Sequence, residues 1–217
     1  MFLFVAASLP LLFCLVVFLP WGSRQVPRTL SLVSMFLKGV LLFFPAFLGL
    51  LIVRRIFGFS YDGFLLYLSL LQRDHLFPLL GAVGAFLLLQ KSLAFSATDE
   101  SVFLTVFSFM TGFLSLVNIA DALRTWGSWD GYVLFLLPGL RIASVLLIAL
   151  SAQRFYRWEG RDGWLFCGAA AACAVVFAVC SFLFTVSRVS WSIVLCVVLA
   201  VAGVAVLAMR FPRAVRG

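Results

Sequence analysis

The chain has 217 residues, 65% of them hydrophobic and 11% charged, against roughly 45–50% apolar and about 25% charged in soluble domains. With a mean hydropathy of +1.18 and 25 Phe, too little polar surface remains to coat a globule of this size, which excludes a soluble fold and turns the apolar surface to lipid. The formal net charge of +8 is bunched between apolar runs, so it reads as a membrane-orientation signal rather than a nucleic-acid footprint, and no nucleic-acid partner is expected.

A helix rises about 1.5 Å per residue, so crossing a hydrocarbon core of about 30 Å takes roughly 20 residues. Charge-free runs of that length predict an all-α polytopic bundle of about seven transmembrane helices, within a range of six to eight, forming one domain over residues 1–217. The expected spans lie at about 1–21, 29–53, 63–90, 101–123, 131–153, 163–187 and 189–209. The first run has no positively charged segment before it and exceeds a typical signal-peptide core, so it reads as a retained span. The second contains Lys38 and Pro45. In the third, Arg73, Asp74 and His75 divide the apolar sequence into two pieces too short to span comfortably. One helix from about 63 to 90 with the triplet inside the bilayer, an interfacial segment followed by a span ending near Lys91, and two short spans all fit residues 61 to 96.

The fourth span ends in Asn118, Asp121 and Arg124, spaced one turn apart on roughly one helical face. Asp121 there either pairs locally with Arg124 or serves, with Asp74 as the alternative, as counter-charge to Lys38 or Arg141. The fifth span carries Pro138, Gly139 and Arg141, a loosened helix beside a buried cation. In the sixth, Gly168, Ala170, Ala174 and Ala178 form a small-residue stripe that lets another helix approach closely. That stripe packs within the chain or against other membrane subunits or a second copy. All six Trp, at 21, 126, 129, 158, 164 and 191, fall at span ends or between spans, as in an interfacial aromatic belt.

Orientation follows from loop Lys and Arg. Arg24, Arg28, Lys91, Arg154, Arg157, Arg161, Arg210, Arg213 and Arg216 fall on one side; Arg54, Arg55, Arg124 and Arg188 fall on the other. The C-terminus is therefore expected in the cytoplasm, in a plasma or inner membrane, with membrane lipid as the surrounding partner.

Ser60-Tyr61-Asp62-Gly63-Phe64-Leu65 and Ser128-Trp129-Asp130-Gly131-Tyr132-Val133 are alike at an offset of 68 residues, and Arg73 falls opposite Arg141 at the same offset. This suggests a parallel repeat of helix pairs, 29–90 and 97–153, with Asp as N-cap and the aromatic as interfacial anchor. Asp162-Gly163-Trp164 echoes the same helix start.

A Lys or Arg at mid-bilayer costs about 2.5–3.5 kcal/mol on insertion scales, so it should face protein, water or a ligand. Lys38, Arg73 and Arg141 are accordingly candidate ligands for an anionic or zwitterionic solute, since guanidinium groups fork onto carboxylate and phosphate. Asp74, His75 and Asp121 are candidate counter-charges or proton-relay groups. Cys14, Cys167, Cys173, Cys180 and Cys196 all sit in apolar runs without C-x-x-C spacing, beside a single His. No metal and no cofactor is expected.

Asn118-Ile119-Ala120-Asp121 resembles the N-x-A-D around one catalytic aspartate of the lipoprotein signal peptidases. The second aspartate of that family, in G-N-x-x-D-R, has no counterpart here: Asp62 and Asp130 lie in S-aromatic-D-G contexts. The leading functional expectation is a small transporter, or the membrane subunit of one, for an anionic or zwitterionic solute. A non-catalytic scaffold built on the Ala-rich stripe is the alternative, and an enzyme acting on membrane lipid through Asp74, His75 or Asp121 is the third.

Overall fold

The computed structural model describes residues 26–56, 62–90, 99–124, 131–155 and 162–186, and among them there is no strand. In chain order the helices are α1 (Val26–Ile56), α2 (Gly63–Leu70), a π-helical segment (Leu71–Leu76), α3 (Phe77–Gln90), α4 (Asp99–Arg124), a second π-helical segment (Tyr132–Leu136), α5 (Leu137–Phe155) and α6 (Asp162–Thr185). Four stretches are long and apolar enough to cross a membrane: Leu32–Val53, Val102–Arg124, Tyr132–Ala152 and Leu165–Thr185. The expected spans at 1–21 and 189–209 lie outside the described residues.

Residues 63 to 90, ambiguous in sequence, form one unbroken helical rod of α2, the first π segment and α3. At about 1.5 Å per residue it is about 42 Å long. Its start shows how the Ser-aromatic-Asp-Gly signal works. Asp62 holds extended backbone (φ −97°, ψ 118°), and its carbonyl accepts the first helical bond from Leu66 N–H at 2.8 Å. Gly63 follows at φ +26°, a turn that a side chain would strain. The Asp62 carboxylate makes no capping bond, so the aspartate caps through its backbone and not, as expected, through its side chain.

Both π segments have the same cause. Each ends two residues before a proline, at Leu76 before Pro78 and at Leu136 before Pro138. A proline inside a helix lacks the N–H for the carbonyl four residues back and its ring clashes with that carbonyl. Here the helix answers by widening to i→i+5 bonding, as in the bond from Phe77 N–H to Gln72 O. The two widened segments therefore follow the register of the prolines. They do not sit at equivalent positions of the 68-residue repeat, for Arg73 lies inside the first and Arg141 lies beyond the second.

Helix α4 is the axis of the bundle, with 83% of its spanning window buried against 17% for α1. It crosses α1 at two facing glycines, Gly39 and Gly112. A Cβ on either would run into the partner's backbone, at Phe109 O and Phe36 O respectively. Such close approach is how small residues replace the absent hydrophobic drive between helices in lipid. Ser108 Oγ donates to Leu32 O at 2.7 Å and the Phe43 and Phe113 rings meet edge-on at 5.7 Å. Because residue numbers rise together along the pair, α1 and α4 run in the same sense. The rod runs the other way: Phe86 packs on Phe109 of α4 and on Phe166 of α6, while Tyr67, two-thirds of the rod away, packs on Phe182 near the far end of α6.

Ala170, Ala174 and Ala178 are each 0% exposed and Gly168 is exposed. Most of the small-residue stripe is thus used for packing inside this chain.

Candidate functional site

The end of α4, the start of α5 and the end of α6 meet the first half of the rod at one end of the bundle, and the buried charged residues gather there. Arg141 is the node. It is 1% exposed, and its Nη2 donates to Asp121 Oδ2 at 2.7 Å and to the backbone carbonyl of Asp74 at 3.2 Å. Its Nη1 donates to Asn118 Oδ1. Side chains on a helix tilt toward its N-terminus, so Arg141, about 14 Å along from Tyr132 at about 1.5 Å per residue, reaches back toward this end and meets Asp121 one turn from the end of α4.

The carbonyl of Asp74 accepts from Arg141 for a reason written in the chain. Pro78, four residues on, has no N–H to give it. The proline that widens the rod also leaves that carbonyl short of its α-helical donor, and the arginine of α5 supplies one.

The Asp74 side chain is 3% exposed. It accepts from Arg73 Nε at 3.0 Å, from Arg73 Nη2 at 3.5 Å and from Tyr132 Oη at 3.1 Å. His75 points elsewhere: buried between the rod and α6, its Nε2 is hydrogen-bonded to Ser181 Oγ at 2.7 Å, and its Nδ1 has no partner among the described residues. Hydrogen bonds thus tie the rod to α5, the second π segment and α6, Arg141 carries the link on to α4, and four charged groups share one neighbourhood where isolated charges would be costly.

Beside this node a cleft of about 360 Å³ opens, within the usual range for small-molecule sites, roughly 300–1,000 Å³. Arg73 and Asp74 of the rod and Asp121 and Arg124 of α4 supply its charges. Leu70, Val133, Leu137 and Phe184 supply its apolar wall, with Tyr132 and Thr185 between them. Of the sequence candidates, Arg73, Asp74 and Asp121 line the cleft, Arg141 lies behind Asp121, and His75 lies beyond the rod at Ser181. Lys38 does not line it. Lys38 is half-buried on α1 next to the Gly39 crossing at Phe109, which is about 13 Å along α4 from Asn118 at about 1.5 Å per residue. Asp121 turns inward to Arg141, the counter-charge alternative to a surface pair with Arg124.

Asn118, Tyr132, Arg124 and Ser181 belong to the site without having been candidates as ligands. A signal existed for two of them. Asn118 shares a helical face with Asp121, and a buried guanidinium with five donors needs more acceptors than one carboxylate gives. Nothing in the sequence pairs Tyr132 with Asp74 or Ser181 with His75. Among the described residues no group of three His, Cys, Asp or Glu comes together to hold a metal ion.

Comparison with protein families, with curated proteins and with solved structures gives no match.

Proposed function

We propose that the protein is a small-solute carrier, or the solute-handling subunit of a membrane transport system, whose site is the cleft over the Arg141 node. The observation that carries the reading is that one solute-sized cleft is lined by two arginines and two aspartates and walled by the rod and α5, the two helices that prolines have widened. Broken or widened helices beside buried charge are where carriers expose polar groups to solute and where helices rearrange. The enzyme reading has less support. A proton shared between two carboxylates requires them against each other, whereas here Asp74 is matched to Arg73 and Asp121 to Arg141. The scaffold reading has less support, because Ala170, Ala174 and Ala178 pack inward.

In this reading the bundle has the seven-pass arrangement. Helices α1 and α4 run in the same sense, which supports a rod that crosses back between them as a span of its own. With the Arg-rich loop after α5 in the cytoplasm, the cleft opens on the opposite face. Single cysteines replacing Arg55 and Arg124 in a cysteine-free background are expected to react with an impermeant maleimide from the outside of cells, and a cysteine at Ser69 to stay protected. Labelling of the Arg55 position only after the membrane is opened would refute this topology.

The transport reading is tested by reconstituting the full chain in liposomes and measuring uptake of labelled amino acids and short carboxylates. At least one should accumulate above protein-free vesicles, and Arg73→Gln should lower its initial rate tenfold or more. Uptake of none of them, or uptake unchanged in Arg73→Gln, would remove the cleft as a transport site.

A further inference from the structure

The charges of the cleft are graded by depth. Asp74 and Asp121 lie at its base, 3% and 5% exposed. The Arg73 side chain is 16% exposed, and Arg124, on the last residue of α4, is exposed. Arg141 stands behind Asp121 and compensates it from the far side. Asp74 is paired with Arg73 and Asp121 with Arg141, so what the cleft offers is a direction of charge: the carboxylates stand at the base, and the guanidinium groups of Arg73 and Arg124 stand toward the mouth. The walls repeat the pattern sideways, since the rod and α4 each present one Asp inside and one Arg outside.

A bare anion is attracted by the arginines at the mouth, but moving inward it meets two carboxylates in a partly desolvated space where like charges repel strongly. A bare cation is opposed at the entrance. A molecule carrying both signs follows the gradient at both ends. We infer that the cleft takes a zwitterion, bound with its ammonium group toward Asp74 and Asp121 and its carboxylate or phosphate toward Arg73 and Arg124, with an apolar substituent along Leu70, Val133, Leu137 and Phe184. This rests on the carrier reading and narrows its solute to one class. The same chemistry is offered by a free amino acid and by the ethanolamine headgroup of a phospholipid.

The test uses the full chain in nanodiscs of phosphatidylglycerol, which brings no ammonium group of its own. Binding is followed by calorimetry and by the shift in unfolding temperature. The probes are L-leucine, O-phosphoethanolamine, and the two halves of the leucine skeleton, isoamylamine and isocaproate. At least one zwitterion is expected to bind at least tenfold more tightly than isoamylamine and than isocaproate. Arg124→Gln, at the exposed end of α4, should weaken that zwitterion at least fivefold and leave isoamylamine unchanged. Tight binding of L-leucine identifies a free amino acid, and binding of O-phosphoethanolamine alone identifies a headgroup. Isocaproate or isoamylamine binding as tightly as either zwitterion overturns the inference, and so does the failure of both zwitterions to bind. The carrier reading is judged separately, by uptake in liposomes: entry of isocaproate without zwitterion binding would leave that reading standing and this one refuted.

Discussion

Arg141→Ala is expected to lose most of the stability of the bundle. The substitution removes the partner of a buried carboxylate at Asp121 and at the same stroke the donors to Asn118 Oδ1 and the Asp74 carbonyl. Breaking a buried ion pair from one side costs about 3–5 kcal/mol, because the remaining charge is left uncompensated. Two further acceptors left without this donor add to it. The measurement is thermal unfolding in mild detergent, where Arg141→Ala should unfold far below the unaltered chain. Asp121→Ala should be comparably damaging, since it strands the guanidinium. The double variant Arg141→Met/Asp121→Leu separates charge from shape: replacing both members of a buried pair by apolar residues is often neutral or better, so it should recover much of the loss while abolishing solute handling. A double variant as unstable as either single one would show that the node holds the helices through geometry other than the ion pair.

How much of this was legible in the sequence differs from residue to residue. The membrane character, and the presence of spans around 29–53, 101–123, 131–153 and 163–187, follow from run length alone, because lipid forces every backbone polar group into internal bonds and leaves helix as the way to cross. The state of residues 63 to 90 was not decided by run length, because Arg73, Asp74 and His75 interrupt it. Their compatibility with one rod depends on partners from the second π segment, α5 and α6, which hydropathy cannot see. A proline inside an apolar run signals a disturbed helix; its effect as a π segment and as the cause of a donor-poor carbonyl needs the neighbour that supplies the donor. Arg141 was recognisable as a buried charge and Asp121 as a candidate partner. Lys38 carried the same sequence signal, yet α1 places it at the glycine crossing, away from the cleft. Equal hydropathy around two cations says that both must be accommodated and does not say in which neighbourhood. Ala170, Ala174 and Ala178 marked a packing face without indicating whether the facing helix belonged to this chain.

The α1 and α4 crossing makes the second large prediction. At Gly39 an added Cβ would fall well inside contact distance of the Phe109 carbonyl, and at Gly112 of the Phe36 carbonyl. In each case the obstruction is helix backbone, which cannot swing aside as a side chain would. Gly39→Ala and Gly112→Ala therefore force the helices apart and loosen what their closeness permits: the Ser108 bond to Leu32 and the edge-on contact of Phe43 with Phe113. Overpacking costs typically about 1–3 kcal/mol, and the rigid obstruction puts these two at the upper end, Gly112→Ala more so because it lies on the central helix. Gly49 and Gly84 have nothing within 4 Å of an added Cβ. Alanine there only restricts the unfolded backbone and should be neutral or stabilising by up to about 1 kcal/mol. Four single variants compared by unfolding temperature in one detergent test the contrast. If Gly39→Ala and Gly112→Ala unfold at the same temperature as Gly49→Ala and Gly84→Ala, α1 does not lie against α4 at these glycines. The parallel pairing on which the proposed seven-pass arrangement rests would then lose its foundation.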